Sequence, residues 1–375
     1  MKPPLLLLAL CLNAATSIAA EPSNTSTPLF NGRDLSGWVN VNCAPETFTV
    51  RDGMIHCDGI PTGALRTDRQ YENFILELEW RHMKSGGNAG VFIWSGSLPA
   101  PGQPFLRAIE VQVLDHGYGK SDWFTTHGDI FPIHGSTMKP FSPSKGDRSF
   151  PKEFRSKGTN EWNHYRIVAT NGVIRLSVNG AEVSGGTDCS WRKGYIALES
   201  EGGIVDWRNL RIQELPSNNP AAEMSAPAAV PWESLYDGRS LRGWTGSPKA
   251  LETWKPSDWN LRCPANAPTN AILWSTAPAA ANELFVDWRA TGKPTDDHPP
   301  IVFQTPDSAI HPIPAIPTGV KEGWNRLTFA RAQNGWSLRV NQGSPISIAL
   351  PNQPLRLGLV PTSTGAVLAS PFIKR

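Results

Sequence analysis

Residues 74–81 read FILELEWR, which puts Phe74, Leu76, Leu78 and Trp80 on one side of an extended chain and Ile75, Glu77, Glu79 and Arg81 on the other. Side chains alternate across a strand, so this segment reads as a strand with one face in a core and one toward water. The pattern continues outward. Asn171-Gly172 separates RIVA from IRLSV, and Asn179-Gly180 follows closely, so two tight turns are expected to link three antiparallel strands. Residues 195–198 and 207–212 supply two more short strands, and 34 prolines with 33 glycines punctuate the remainder. No long helical period appears. Short alternating strands without helical spacers predict an all-β chain built as an antiparallel β-sandwich.

The sandwich is expected twice. Residues 29–38 read LFNGRDLSGW and residues 235–244 read LYDGRSLRGW, while EWNHYRIVATNGVIRLSVNG at 161–180 matches GWNRLTFARAQNGWSLRVNQG at 323–343. A chain of 375 residues also exceeds the size at which one core usually keeps growing. The reading divides it into a first sandwich at 28–215, a linker rich in Pro, Ala and Ser at 216–231, and a degenerate second copy at 232–375. The copies are unequal. Trp80 and Trp162 are 82 positions apart, whereas the matching Trp288 and Trp324 are 36 apart. Only the first copy therefore carries Glu110, Gln112, Asp115, His116, His127, Asp129 and His134. Function is expected there, and a chain ending near Pro220 is expected to keep it.

Residues 1–20 join a lysine to a leucine run and small residues before Glu21, the pattern of a cleaved export signal, so a periplasmic or extracellular location is expected. A lipid anchor on Cys11 fits less well, because Leu10 is bulky where a small residue is wanted. No other stretch reaches the ~20 apolar residues of a membrane span. A net charge of +2 with scattered Lys and Arg argues against nucleic acid as a partner. No cofactor or zinc motif is read, and nothing in the sequence sets the oligomeric state. Cys43 and Cys57 flank a strand-like segment and form the preferred disulfide, with buried free thiols as the alternative.

Within the long insertion, residues 109–114 read IEVQVL, a strand with Ile109, Val111 and Val113 on one side and Glu110, Gln112 and Leu114 on the other. Glu110 and Gln112 then line one sheet face, with Asp115 and His116 at its rim. Asn88, in GGNAGVFI, sits on a glycine-rich turn where its amide suits sugar hydroxyls. His127, Asp129 and His134, in HGDIFPIH, serve either the groove or a metal. Glu199 and Glu201, in LESEGG, face the groove or cap a turn, and Arg208 pairs with one of them or makes a structural ion pair.

Together LFNGRDLSGW, DGMI, YENFILELEW, GGNAGVFIWS, IEVQVLD, EWNHYRI and VDWRNLRIQEL resemble the bacterial 3-keto-disaccharide hydrolase domain family, whose members are concanavalin A-like jelly-roll sandwiches. The resemblance covers residues 29–215. It departs at LESEGG, where many members have leucine-glutamine followed by histidine-glycine, and the second copy lacks IEVQVLD. The resemblance implies cleavage of a glycosidic bond in an oxidised sugar or glycoside that carries a ketone at C3. The ketone acidifies C2–H, so a base can start an elimination that water completes. On that chemistry Glu110 is expected as general base, Asp115 or His127 as proton donor to the leaving oxygen, and Gln112 and Asn88 as holders of ketone or hydroxyls, with His116, Asp129, His134, Glu199 and Arg208 as further binding positions. A lectin-like carbohydrate binder and a scaffolding protein are the competing readings, since fold alone does not decide function.

Overall fold

A computed structural model describes residues 25–276, 281–290, 299–313, 319–333 and 335–375; the export signal expected at 1–20 lies outside them. The described chain is dominated by strands arranged in four antiparallel sheets. Two sheets enclose one core in the first half of the chain, and two enclose another in the second.

The larger sheet of the first sandwich is built around Phe74–His82, which pairs with Asn163–Thr170 on one side and Val205–Glu214 on the other. Its alternation is the one read from the sequence. Phe74, Leu76, Leu78 and Trp80 enter the core, where Leu78 stands opposite Tyr165 and Trp80 opposite Trp207. Each such apolar side chain contributes on the order of 2 kcal/mol by leaving water. Both tight turns form, with left-handed φ at Asn171 and Gly172 (53° and 78°) and at Asn179 and Gly180 (47° and 91°). Those angles match the twist of the strands that the turns join.

The smaller sheet contains β1 (Trp38–Val41), β2 (Gly63–Thr67), β3 (Asn88–Ser95), β4 (Ala108–Leu114), β5 (Ile130–Ile133) and β6 (Tyr195–Ser200). Their spatial order is β5-β4-β3-β6-β2-β1, and two-residue strands at Arg148–Ser149 and Ser144–Lys145 extend the β5 edge. Ile109, Val111 and Val113 of β4 point into the core. Glu110 and Gln112 therefore stand on the outer face. By inserting between β3 and β2, β6 brings LESEGG beside GGNAGVFI from more than a hundred positions away in sequence.

The second sandwich repeats local details of the first. Asn31 Oδ1 accepts from the amides of Arg33 and Asp34, and Asp237 Oδ1 accepts from those of Arg239 and Ser240. Asn179 donates to Asn163 Oδ1 at 3.0 Å, and Asn341 donates to Asn325 Oδ1 at the same distance. The 216–231 stretch has no strand and lies against the first sandwich, with Ala226 N donating to Lys193 O and Ala229 N to the Tyr195 hydroxyl.

The two sandwiches share a third apolar cluster: Val41, Ala64, Phe92, Leu106, Ala108 and Ala197 from the first, Phe285 and Phe372 from the second. The second copy thus packs on the sheet face that also carries Glu110. It is not a module held at a distance by the linker.

The Cys43–Cys57 disulfide is not formed: Cys43, Cys57, Cys189 and Cys263 are all buried free thiols. The ladder explains why the spacing misleads. Cys57 lies opposite Phe48, while Cys43 precedes that strand and its sulfur faces the Pro61 carbonyl at 4.0 Å. Burial pushes the Cys57 thiol up to about 12, so it stays protonated and inert.

Candidate active site

A cleft of about 300 Å³ opens on the outer face of the smaller sheet. Its polar floor comes from three adjacent strands: Glu110 and Gln112 of β4, Asn88 of β3, and Glu199 with the following Glu201 at the end of β6. Phe105, Tyr118, Phe124, Phe131, Ile133, His134 and Arg148 line the rest.

Gly90 makes the central arrangement possible. It lies opposite Gln112 in the ladder, and a Cβ there would fall 2.8 Å from Glu199 Oε2 and 3.0 Å from Glu110 Oε1. Both carboxyl groups therefore lean over the bare backbone of Gly90. Each is almost fully buried, Glu110 at 6% exposure and Glu199 at 1%. Withdrawal from water raises the affinity of Glu110 for its proton to about 8, and the Glu201 charge adds to it. Glu199 is likewise raised well above the usual carboxylate range, first by burial and then by Glu110. Glu201 is raised to about 7 by burial, although the Asn88 amide that donates to it works in the opposite direction. Near neutral pH these carboxyls hold protons that ordinary glutamates have lost. Glu199 Oε2 has no hydrogen-bond partner in the protein.

A polar chain fixes the other side. Gln112 Nε2 donates to Asn88 Oδ1 at 2.8 Å and to Ala89 O at 3.2 Å, which orients the Asn88 amide toward Glu201. Arg148 lies over the Phe131 ring at 3.4 Å, with Nη1 3.2 Å from Asp129 Oδ2 and 3.5 Å from Gln112 Oε1. Asp129 is fully buried and also accepts from the Thr125 amide and hydroxyl. It anchors Arg148 from beneath the cleft.

The structure brings Asn88, Glu110, Gln112, His134 and Glu199 into the cleft as expected and places Asp129 directly behind it. Four other expectations are corrected. Asp115 Oδ1 accepts from the amides of Gly86 and Gly117 at 2.8 Å and its Oδ2 from the Thr159 hydroxyl at 2.9 Å. Burial alone would raise this carboxyl, but those donors outweigh it and hold the group low, so it ties loops together and has no proton to give. His127 and His116 both turn to the Ser156 hydroxyl, at 2.7 and 2.9 Å, and His127 stacks on Phe154. Burial brings His127 down to about 4, leaving it neutral and outside the cleft. Arg208 pairs with Glu79 at 2.8 Å on the opposite sheet, a structural ion pair. The divergence of His127, Asp129 and His134 also removes the metal alternative for that segment. Among the described residues, no group of three or more His, Cys, Asp and Glu is arranged to hold an ion.

Sequence reading omitted Arg148 and the aromatic lining. Arg148 belongs to a two-residue strand between loops, where no periodicity marks a side chain. Of the two readings open for Glu201, the groove holds: two positions along an extended segment return its side chain to the cleft beside Glu199.

Residues 25–213 match the family model described as a 3-keto-alpha-glucoside-1,2-lyase-like domain. A 3-keto-disaccharide hydrolase of Bacteroides thetaiotaomicron is 21% identical over 243 residues, which span 50% of this chain and 77% of that protein. Among solved structures, a protein of Parabacteroides distasonis provisionally assigned as a glycosyl hydrolase is 21% identical, with 51% of this chain and 94% of that one covered at a TM-score of 0.40. A carbohydrate-binding module from Bacillus subtilis is 12% identical, with 48% and 96% covered at a TM-score of 0.34. At such scores the structural likenesses transfer no site.

Proposed function

The chain belongs to the family of 3-keto-alpha-glucoside-1,2-lyase-like domains, and from that premise we propose that its first sandwich cleaves glycosidic bonds of 3-keto-glycosides by elimination and hydration. The carbohydrate-hydrolase reading rests on the family. The mechanism rests on one observation: two buried carboxyls that flank Gly90, one of them with an unpartnered oxygen.

Glu110, in its ionised fraction, takes the proton from C2, and the electron pair of that bond forms an enolate with the C3 oxygen. Arg148 and the second N–H of the Asn88 amide, held in place by Gln112, are the donors beside that oxygen as charge develops. The enolate collapses to restore the ketone, a C1=C2 double bond forms and the C1–O bond breaks. Glu199, kept protonated by burial, gives its proton to the departing oxygen. Water then adds across the double bond, hydroxide to C1 and the Glu110 proton to C2, while Glu199 recovers a proton from that water. The sum is hydrolysis, and no oxocarbenium ion is required, unlike the usual pair of flanking carboxylates.

The experiment is turnover of a 3-keto-disaccharide beside the parent disaccharide. The full chain should release monosaccharide from the first only, and Glu110→Gln should lower that rate by about 1,000-fold while keeping the fold. Near-normal turnover in folded E110Q removes Glu110 as the base. A full chain inert on both sugars leaves the site to a binder.

A further inference from the structure

The second sandwich meets the first beside the reacting groups. Phe92, directly opposite Glu110 across the β3–β4 ladder, and Ala64, directly opposite Glu199 across the β2–β6 ladder, are both in the apolar cluster closed by Phe285 and Phe372. The carboxyls are therefore one ladder step from the inter-sandwich core, on two sides. Ala64, Ala108 and Ala197 keep the sheet low there, which lets the aromatic rings of the second sandwich settle on it. Phe285 and Phe372 stack at 5.1 Å, and both leave water almost completely.

The seat is fastened at both ends. At one end Asp287 accepts from Gly102 N at 2.9 Å, and Arg326, paired with Asp287, donates to Pro99 O at 2.9 Å. At the other end Asp258 accepts from the Thr62 amide and hydroxyl at 2.7 and 2.8 Å. Arg239 donates to Ile60 O and pairs with Asp58. The held segment in turn supports the Glu199 and Glu201 backbone, through Ser200 Oγ to Pro61 O at 2.8 Å and Gly202 N to Gly59 O at 2.7 Å. These contacts describe a fixed wall.

The sheet continues past Glu199 through β2 and β1, but its outer face there is already occupied. What remains is about 300 Å³, at the low end of small-ligand sites, which run from ~300 to ~1,000 Å³. We propose that the second sandwich is the size filter of the cleft: by closing the sheet beyond Glu199 and Phe92, it admits a ketone-bearing ring only as the terminal sugar of its chain. A glycan that continues past that ring would have to displace Phe285 and Phe372. The aglycone leaves through the open side, toward Tyr118 and Phe124. This inference rests on the glycoside reading of the site. It also reverses the expectation that a chain ending near Pro220 keeps full function, since such a chain would lose the wall.

The test compares two 3-keto-glycosides in the full chain, one with an unsubstituted ketone-bearing ring and one with a further glucosyl group on that ring. The filter predicts a preference of about 100-fold in kcat/KM for the first. The double variant D258A/R239A, which touches neither sandwich core, should narrow that preference at least tenfold, and F285A should do the same by thinning the wall. Equal rates on both glycosides in the unaltered chain overturn the filter, as does a preference unchanged in both variants. Should the full chain cleave neither, the hydrolytic reading fails separately, and calorimetry with the two unoxidised glycosides decides. Selective binding of the unextended one supports the filter, while equal binding or none overturns it.

Discussion

Glu110 is held where a carboxylate is least comfortable, and that discomfort is measurable. Its proton affinity in the fold is about 8 against an ordinary value of 4.5. Below about pH 4.5 it is protonated folded or unfolded, and its burial carries no ionisation penalty. Between about 4.5 and 8 the unfolded chain ionises first, so the stability this group contributes is lost as pH rises. Replacing it with neutral Gln should therefore raise the melting temperature relative to the unaltered protein at pH 9 and do so much less at pH 4; an equal offset at both pH values would show that Glu110 is not buried as described. Its ionised fraction grows over the same range, so activity should climb toward about pH 8. Gly90 makes the complementary case. Gly90→Ala puts a methyl within 2.8 to 3.0 Å of both carboxyls, so both must shift, and a misplacement of ~1 Å costs about 100-fold in rate. The variant should fold, melt near the parent temperature and lose activity; full activity would mean the carboxyls need not meet over that backbone.

At the scale of the strand, alternation carries nearly all the legible information. FILELEWR and IEVQVL each have one apolar face, and the core takes Leu76, Leu78, Ile109 and Val111 as written. The same rule sends Glu110 and Gln112 together into the cleft. What is not legible is which strands become neighbours, because pairing is settled by the whole sheet and not by local sequence. The arrival of β6 beside β3, which brings Glu199 to Glu110, has no local signal. Loop side chains fail for a different reason. Asp115 and His127 have the chemistry of catalysts, but backbone amides and Ser156 claim them first, and a loop sequence does not disclose which donors it will present. The cysteines fail similarly, since Cys43 and Cys57 are close in sequence yet off register. A disulfide closing so short a loop would add about 3 kcal/mol, but both thiols are free, so a reductant should leave the melting temperature unchanged. A marked fall on reduction would restore the bridge.

For the whole molecule, the duplication is more than a spare copy. Both halves make the same asparagine-pinned hairpin, yet the second half's counterpart of β4, the short strand Ile310–Pro312, carries no carboxylate. The second half spends the outer face of its larger sheet, through Phe285 and Phe372, on covering the first. Its contact with the site is indirect: it covers Phe92, the residue that faces Glu110 across the ladder. The central claim is that the first sandwich breaks C2–H before C1–O, and deuterium at C2 reports that order directly. In a single turnover, a 3-keto-disaccharide deuterated at C2 should be cleaved markedly more slowly than its protiated counterpart. Equal single-turnover rates for the two sugars would contradict the account.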